Sequence, residues 1–482
     1  MPRHSLLRVA TPLLAVVAVA GCTNAPVPDA GGATTTVAPP PQVTGTEGAE
    51  GMGDAYYPDD GNGGYDALDY AVSVTYDPAT KNLDGDTTVT ARASADLSRF
   101  NLDLTGFQVS RVEVDGQQAE TRREGEHELV ITPKTPIGKD TTFKTRVVYS
   151  GVPESVDSGL GVNGWQISSS GGAFAAGEPH SASAWYPVND HPRDKATFSV
   201  RAKVPDPWSV VSIGREEEPV REDGWTTYTW VEPTRVVSYV TTIGIDKWTF
   251  ERSQLPDGTP VVDAYAPGAE SRMPDERRVP EVLAFLTEKF GPYPQSAAGG
   301  IFLNENIGFS LETQTRPIYA KWADLETIVH EQAHQWYGNS VSIENWADIC
   351  LNECLASYAQ WLWDEKTGVD LDARFRDTAA KAPNRYWDRK LYDMGEGNEF
   401  TAVYTKGQLA MHALRHQIGD DDFATLLKQW AATHRDGNAT WPEFEDMATE
   451  ISGQPDLRAF LKSWFRDANK PEDRYLYPGA LR

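Results

Sequence analysis

The chain has 482 residues, with 70 acidic against 44 basic side chains and a formal charge of −26 at neutral pH. That excess of negative charge repels nucleic acid and anionic lipid alike, so no nucleic-acid partner is expected. A mature chain of about 460 residues is more than one hydrophobic core organises, and two domains are expected.

Residues 1–21 carry Arg3 and Arg8 ahead of an uncharged Ala/Val/Leu run, Val9 to Ala20. The run is too short for a finished bilayer span and reads as a signal peptide. It closes on Val19-Ala20-Gly21-Cys22. This resembles the lipobox of bacterial lipoproteins, which implies lipidation of Cys22, membrane attachment and work outside the cytoplasm, at the cell surface or in the periplasm. Acyl chains on one cysteine, at two or more, suffice for stable anchoring. Residues 22–51 are Pro-, Gly-, Thr- and Ala-rich with almost no large apolar side chain, so they are expected to act as a disordered tether. No Lys or Arg falls between Arg8 and Lys81, which argues against a basic membrane-hugging segment.

Over residues 52–250 short alternating runs are separated by Gly, Asp and Pro. The first two are Tyr70–Tyr76 and Thr87–Arg92; others fall at 109–114, 143–149, 196–204, 226–232 and 236–245. The period of two predicts an all-β domain. From about Asp275 the period becomes helical. Val282, Leu283, Phe285, Leu286 and Phe290 form one stripe that stops at Gly291-Pro292. Further helices are expected at 406–418, 421–434, 442–451 and 457–465, with strands near 301–303 and 309–315. Residues 251–482 therefore read as a mainly α domain.

Within it stands Thr327-Ile-Val-His330-Glu331-Gln-Ala-His334, and eighteen residues separate His334 from Glu353. Leu325, Ile328, Val329, Ala333 and Trp336 recur at helical steps, and Gly338 is the expected stop. On that helix His330 and His334 lie one turn apart on one face, so both imidazoles can ligate one cation. Glu331, about 100° further round, reaches a water on that cation without binding it. Two neutral imidazoles, the Glu353 carboxylate and an open fourth position make a catalytic Zn²⁺ site, one per chain. The cation brings the pKa of its water to roughly 7, and Glu331 can then take the proton.

This stretch resembles the aminopeptidase N family of gluzincins, which also contains the leukotriene hydrolases. The family's second motif is Trp-Leu-Asn-Glu-Gly; here it reads Cys350-Leu-Asn-Glu353-Cys354. The likeness runs from about Tyr56 to Trp464. It implies a saddle-like β domain followed by a thermolysin-like zinc peptidase domain, without the large C-terminal helical domain of many members. It also implies three roles. Tyr404, in Val403-Tyr-Thr-Lys-Gly407, matches the tyrosine that donates to the tetrahedral oxyanion. Glu312, in Phe309-Ser-Leu-Glu-Thr313, matches the glutamate that contacts the substrate's α-amine, although Phe309 and Thr313 replace the family's Gly and Asn. Glu178, in Gly177-Glu-Pro179, matches a second amine-binding position. A peptide substrate held by its α-ammonium is cut only at its first bond, so the implied activity is that of an aminopeptidase. Two other readings stay open: a zinc endopeptidase, and a catalytically weak peptide-binding lipoprotein that keeps the metallopeptidase fold.

Cys350 and Cys354 stand at i, i+4. In a regular helix that spacing is too wide for an unstrained bridge, and two buried thiols are expected. His412 and His416 repeat the i, i+4 spacing without an intervening Glu or an evident third ligand, and are expected on the helix surface or behind other ligands in a supporting role.

Overall fold

Alternation in the first half of the chain does produce a large sheet. Its principal strands are β1 (Tyr65–Asp77), β2 (Asn82–Ala93), β3 (Gln108–Val114), β4 (Thr142–Gly151), β5 (Lys195–Pro205) and β6 (Trp225–Val237). They lie in the order β6-β5-β1-β2-β4-β3; only β5 and β1 pair in parallel. Tyr70, Val72, Val74 and Tyr76 point from β1 into the core, while the residues between them lie partly or fully in solvent. Each such large apolar side chain contributes roughly 1.5–3 kcal/mol on burial. A four-stranded sheet (Thr46–Glu47, Leu97–Asp103, Glu128–Thr132, Glu120–Glu124) and a five-stranded one complete this half.

The computed structural model describes residues 44–157 and 161–482. The signal-like run 1–21, Cys22 and the tether up to residue 43 lie outside the described residues. The end of the expected tether does not behave as one. Thr46–Glu47 pairs in parallel with Leu97–Asp103, and the Gly48 amide donates to the Arg99 carbonyl at 2.9 Å. Glycine is needed there for close approach rather than for looseness: a Cβ on Gly45 would stand 2.3 Å from the Ser98 nitrogen. A little further on, Asp54 accepts the Trp346 amide at 2.8 Å and faces the buried His191 ring, which pins the N-terminal segment onto the helical half.

In that half a four-stranded sheet (Thr249–Gln254, Pro260–Tyr265, Ala298–Phe302, Ile318–Tyr319) backs the helices. Its first strand straddles the expected boundary at 250. The helices that position the site are α1 (Val279–Phe290), α2 (Leu325–Ala333), α3 (Cys350–Lys366), α4 (Leu371–Lys381) and α5 (Thr405–Ile418). Helices at Asp420–Thr433, Trp441–Ser452 and Leu457–Leu461 follow, the last running into a wider turn at Lys462–Arg466. Among the described residues no helix is long and apolar enough to cross a membrane.

Three expected elements differ. The run 236–245 is broken by a turn at Ser238–Val240, which aims Tyr239 inward instead of along a strand. The run 309–315 pairs only at Leu311, through a two-bond bridge to Ile318, because Thr315 adopts φ +68° and folds the chain back. Helix α2 ends at Ala333 rather than near Gly338; the Asn339, Ser340 and Val341 amides reach back five residues to His334, Gln335 and Trp336 carbonyls and widen the turn.

Burial leaves several carboxyls far from water and raises them. Glu276 is pushed up to about 9, Glu128 to about 8, and Asp194 and Asp263 to about 7. The folded state then holds more protons than the unfolded chain between about pH 4, the ordinary carboxylate range, and these values. The stability these groups contribute is complete below that range and is lost as pH rises through 7 to 9. Self-repulsion of a chain at −26 acts in the same direction. The thermal midpoint is therefore expected to fall steadily between pH 5 and pH 9, checked by calorimetry in matched ionic strength; a midpoint that climbs over that range would contradict it.

Candidate active site

Helix α2 starts on a capping box. Asp324 accepts the Thr327 amide and hydroxyl, both at 2.9 Å. Two turns later His330 and His334 present their Nε2 atoms 3.1 Å apart. Helix α3 packs against α2 and brings Glu353 to them: Oε2 lies 3.3 Å from His330 Nε2 and Oε1 3.6 Å from His334 Nε2. Ligands about 2.0–2.1 Å from a tetrahedral ion stand roughly 3.3 Å apart, so the three side chains fit a zinc ion. The polar atoms around them agree. His334 Nδ1 donates to the Tyr337 carbonyl at 3.0 Å, leaving the Nε2 lone pair free. Burial drives the His330 pKa down to about 4, so it stays neutral. Glu353 Oε2 is buried without a hydrogen bond from the protein, as suits an atom that faces a cation.

Glu331, 5% exposed, projects beside this triad. Burial, then the Glu312 and Glu353 carboxylates, push its pKa well up. Tyr404 immediately precedes α5 and is 43% exposed, with its ring 6.0 Å from that of His330. Glu312, only 2% exposed, accepts a hydrogen bond from the Tyr239 hydroxyl at 2.8 Å, while Asn339 donates to its carbonyl at 2.7 Å. Glu178 follows the strand Ala173–Ala176, and oxygens of Glu178, Glu312 and Glu353 lie within 4.8 Å of one another. Burial and then Glu312 raise Glu178 strongly, and its Oε1 has no hydrogen bond. The seven residues expected at the active site (His330, Glu331, His334, Glu353, Tyr404, Glu312 and Glu178) line one cleft of about 480 Å³, together with Phe309, Trp322, Gln360 and Phe400.

Burial above all, with the nearby Glu312 carboxylate adding to it, raises Glu178, Glu331 and Glu353 alike. The donor set of His330, His334 and Glu353 fits a metal ion, and Glu178 and Glu312 stand beside it.

Sequence reasoning missed Tyr239, which fixes the Glu312 carboxylate and to which the Asn352 amide donates at 3.4 Å. It sat in a run read as plain strand, and no motif marked it. The cysteines also differ from expectation: Cys350 and Cys354 are joined by a disulfide with Cα atoms 4.8 Å apart. Cys350 opens α3, where the Ile349 carbonyl accepts from both Asn352 and Glu353. That tightened first turn departs from regular helix geometry and brings the pair within bridging range.

Helix α5 crosses α3 at this point. A Cβ on Gly407 would lie 2.8 Å from Cys354 Sγ and 3.1 Å from its Cα. Gly407→Ala must therefore push α5 off α3 and carry Tyr404 with it. A loss of roughly 1–3 kcal/mol is expected, with a drop in kcat, measured by thermal melts and steady-state kinetics; an unchanged midpoint would show that the helices can part freely.

The comparisons with known proteins point one way. The model of the Peptidase M1 N-terminal domain matches residues 66–240, and that of the Peptidase family M1 domain matches residues 299–464. Aminopeptidase N of Lactococcus lactis subsp. cremoris is 23% identical over 83% of this chain and 50% of its own length. Probable aminopeptidase 1 of Saccharolobus solfataricus is 24% identical over 78% of this chain and 51% of its own. The chain thus spans about half the length of the curated relatives it matches. The crystal structure of an M1 zinc metallopeptidase from Deinococcus radiodurans aligns with a TM-score of 0.80 and 30% identity, over 88% of this chain and 99% of that one. Two domain models matched in order, and a solved two-domain relative aligned along its whole length, show that the chain belongs to the M1 family of zinc metallopeptidases.

Proposed function

We propose that this protein is a zinc aminopeptidase that removes N-terminal residues from peptides outside the cytoplasm, held to a membrane through Cys22. The convergence of Glu178 and Glu312 beside the His330–His334–Glu353 triad carries the reading. A monocation placed between those two carboxylates is the α-ammonium of a peptide, and its first carbonyl then falls next to the triad. A variant of the Deinococcus radiodurans relative has been solved with a Tyr-Ser-Ala substrate, and two-domain M1 zinc metallopeptidase variants with L-arginine and with L-tryptophan, all ligands bearing a free α-amine.

When bound by His330, His334 and Glu353, zinc supplies Lewis acidity toward water and the scissile carbonyl. The chain's own residues do the rest. Glu331 takes the proton of the attacking water and passes it to the departing amine. The Tyr404 hydroxyl donates to the developing oxyanion. Glu312, oriented by Tyr239, and Glu178 hold the ammonium and so fix which bond is presented. Phe309, standing where relatives of this pattern carry glycine, narrows the start of the cleft.

The extracytoplasmic setting draws support from the Cys350–Cys354 disulfide, since such bonds persist in oxidising compartments, and from the lipobox-like Val19-Ala20-Gly21-Cys22. The test is a panel of unblocked aminoacyl fluorophores beside one N-blocked, internally quenched peptide, with metal content measured on the same sample. Chelator-sensitive turnover of the unblocked set alone is the expected result. Cleavage of the blocked peptide would move the reading to endopeptidase, and bound zinc with no turnover would leave a binding protein. Metabolic labelling with a fatty-acid analogue, lost in Cys22→Ala, tests the anchor.

A further inference from the structure

A second pair of histidines repeats the geometry of the first. His412 and His416 stand one turn apart on α5, with ring centroids 4.8 Å apart at 69°; the corresponding values for His330 and His334 are 4.7 Å and 80°. The third donor missing from the local sequence arrives from α4. His412 Nε2 lies 3.1 Å from Asp372 Oδ1, and His416 Nε2 lies 2.8 Å from the same oxygen.

We infer that Asp372, His412 and His416 form a second divalent-metal site, separate from the catalytic one, that takes zinc or a similar borderline transition ion. Two imidazoles and one carboxylate are the donor set of the catalytic centre, and these three converge as closely. The outer contacts are also those of a ligand set. His412 is buried, and its other ring nitrogen is held by the Tyr358 hydroxyl at 3.0 Å, which fixes the ring with Nε2 facing Asp372. Asp372 and His416 are only partly covered, so an ion can enter from solvent and keep water at its remaining positions. An Asp that merely accepts two N–H groups would account for the distances too, and a measurement of metal stoichiometry separates the two arrangements.

The site is not a second hydrolytic centre. Where the catalytic helix carries Glu331 next to its first histidine, α5 carries Ala413. Its effect is mechanical: an ion there ties α4 to α5, the helix that begins directly after Tyr404.

The experiment uses the full chain with its catalytic zinc in place, dialysed against buffered free Zn²⁺, with metal per chain measured by mass spectrometry. Wild type is expected to hold two ions, and His416→Ala and Asp372→Asn one each. Added Co²⁺ should give a tetrahedral visible band in wild type that both variants lack. Extra Zn²⁺ should raise the melting temperature of wild type and leave that of the variants unchanged. The variants keep their single zinc and their peptidase activity if they are folded, so a loss of the second ion is told apart from a loss of the first. One ion per chain in wild type at saturating Zn²⁺, or two ions retained in both variants, would overturn the inference.

Discussion

Glu331→Gln is expected to keep its zinc and lose roughly 10²–10⁴-fold in kcat, the contribution of a positioned general base. The amide has nearly the shape of the carboxylate, so α2 and the triad on its face keep their packing. Glu331 is no member of the closest ligand set; His330, His334 and Glu353 are the three whose donor atoms lie 3.1–3.6 Å apart. What the substitution removes is the capacity to accept a proton. Substrate affinity should change little, because the ammonium contacts assigned to Glu312 and Glu178 are untouched. Metal content and kcat measured on the same preparation decide the matter. If zinc is lost, Glu331 is a ligand or a structural support. If turnover survives, another group accepts the proton, and the second buried carboxylate, Glu312, becomes the first to replace.

The metal triad could be read from the chain because helix periodicity converts sequence spacing directly into geometry. His330 and His334 need only one turn of α2, and Glu353 needs only the start of the next helix. The pair proposed to bind the amine is different in kind. Glu178 and Glu312 come from opposite halves of the molecule, and only likeness to a family placed them together. Tyr239 lay beyond either route, since its importance comes from a turn that interrupts a strand-like run. The disulfide was hidden by the assumption of a regular helix, which fails in the first turn of α3. In the expected tether, composition misleads: a Gly- and Pro-rich stretch predicts looseness, while the segment from Thr46 is stitched to a sheet through its backbone. The Asp372–His412–His416 cluster shows the same limit. Its two histidines were visible at helical spacing, but the carboxylate stands forty residues before His412.

Glu312→Gln should sharply reduce the preference for a free N-terminus. In the wild type, kcat/KM for an unblocked substrate is expected to exceed that for its N-acetylated form by several orders of magnitude. An acetyl group removes the ammonium and would leave Glu312 and Glu178 buried without a cation. Truncating one partner of a buried charged contact costs about 2–5 kcal/mol. The expected loss for free-amine substrates in Glu312→Gln is thus roughly 10²–10³-fold in kcat/KM, with the acetylated substrate scarcely affected. Both binding and turnover should suffer, because the ammonium contact also sets the position of the first carbonyl. Tyr239→Phe removes only the hydroxyl that orients Glu312 and should cost about tenfold, the scale of one hydrogen bond to a charged group. Glu178→Gln should resemble Glu312→Gln. Its carboxylate lies in the same cluster, and its buried Oε1 has no hydrogen-bond partner in the protein. The decisive quantity is the ratio of kcat/KM for free against acetylated substrate. If that ratio survives in Glu312→Gln, Glu178→Gln and the double variant alike, the ammonium is bound elsewhere and the two carboxylates lose the role assigned to them. If it collapses in the double variant while zinc content is unchanged, the exopeptidase selectivity resides in these two side chains.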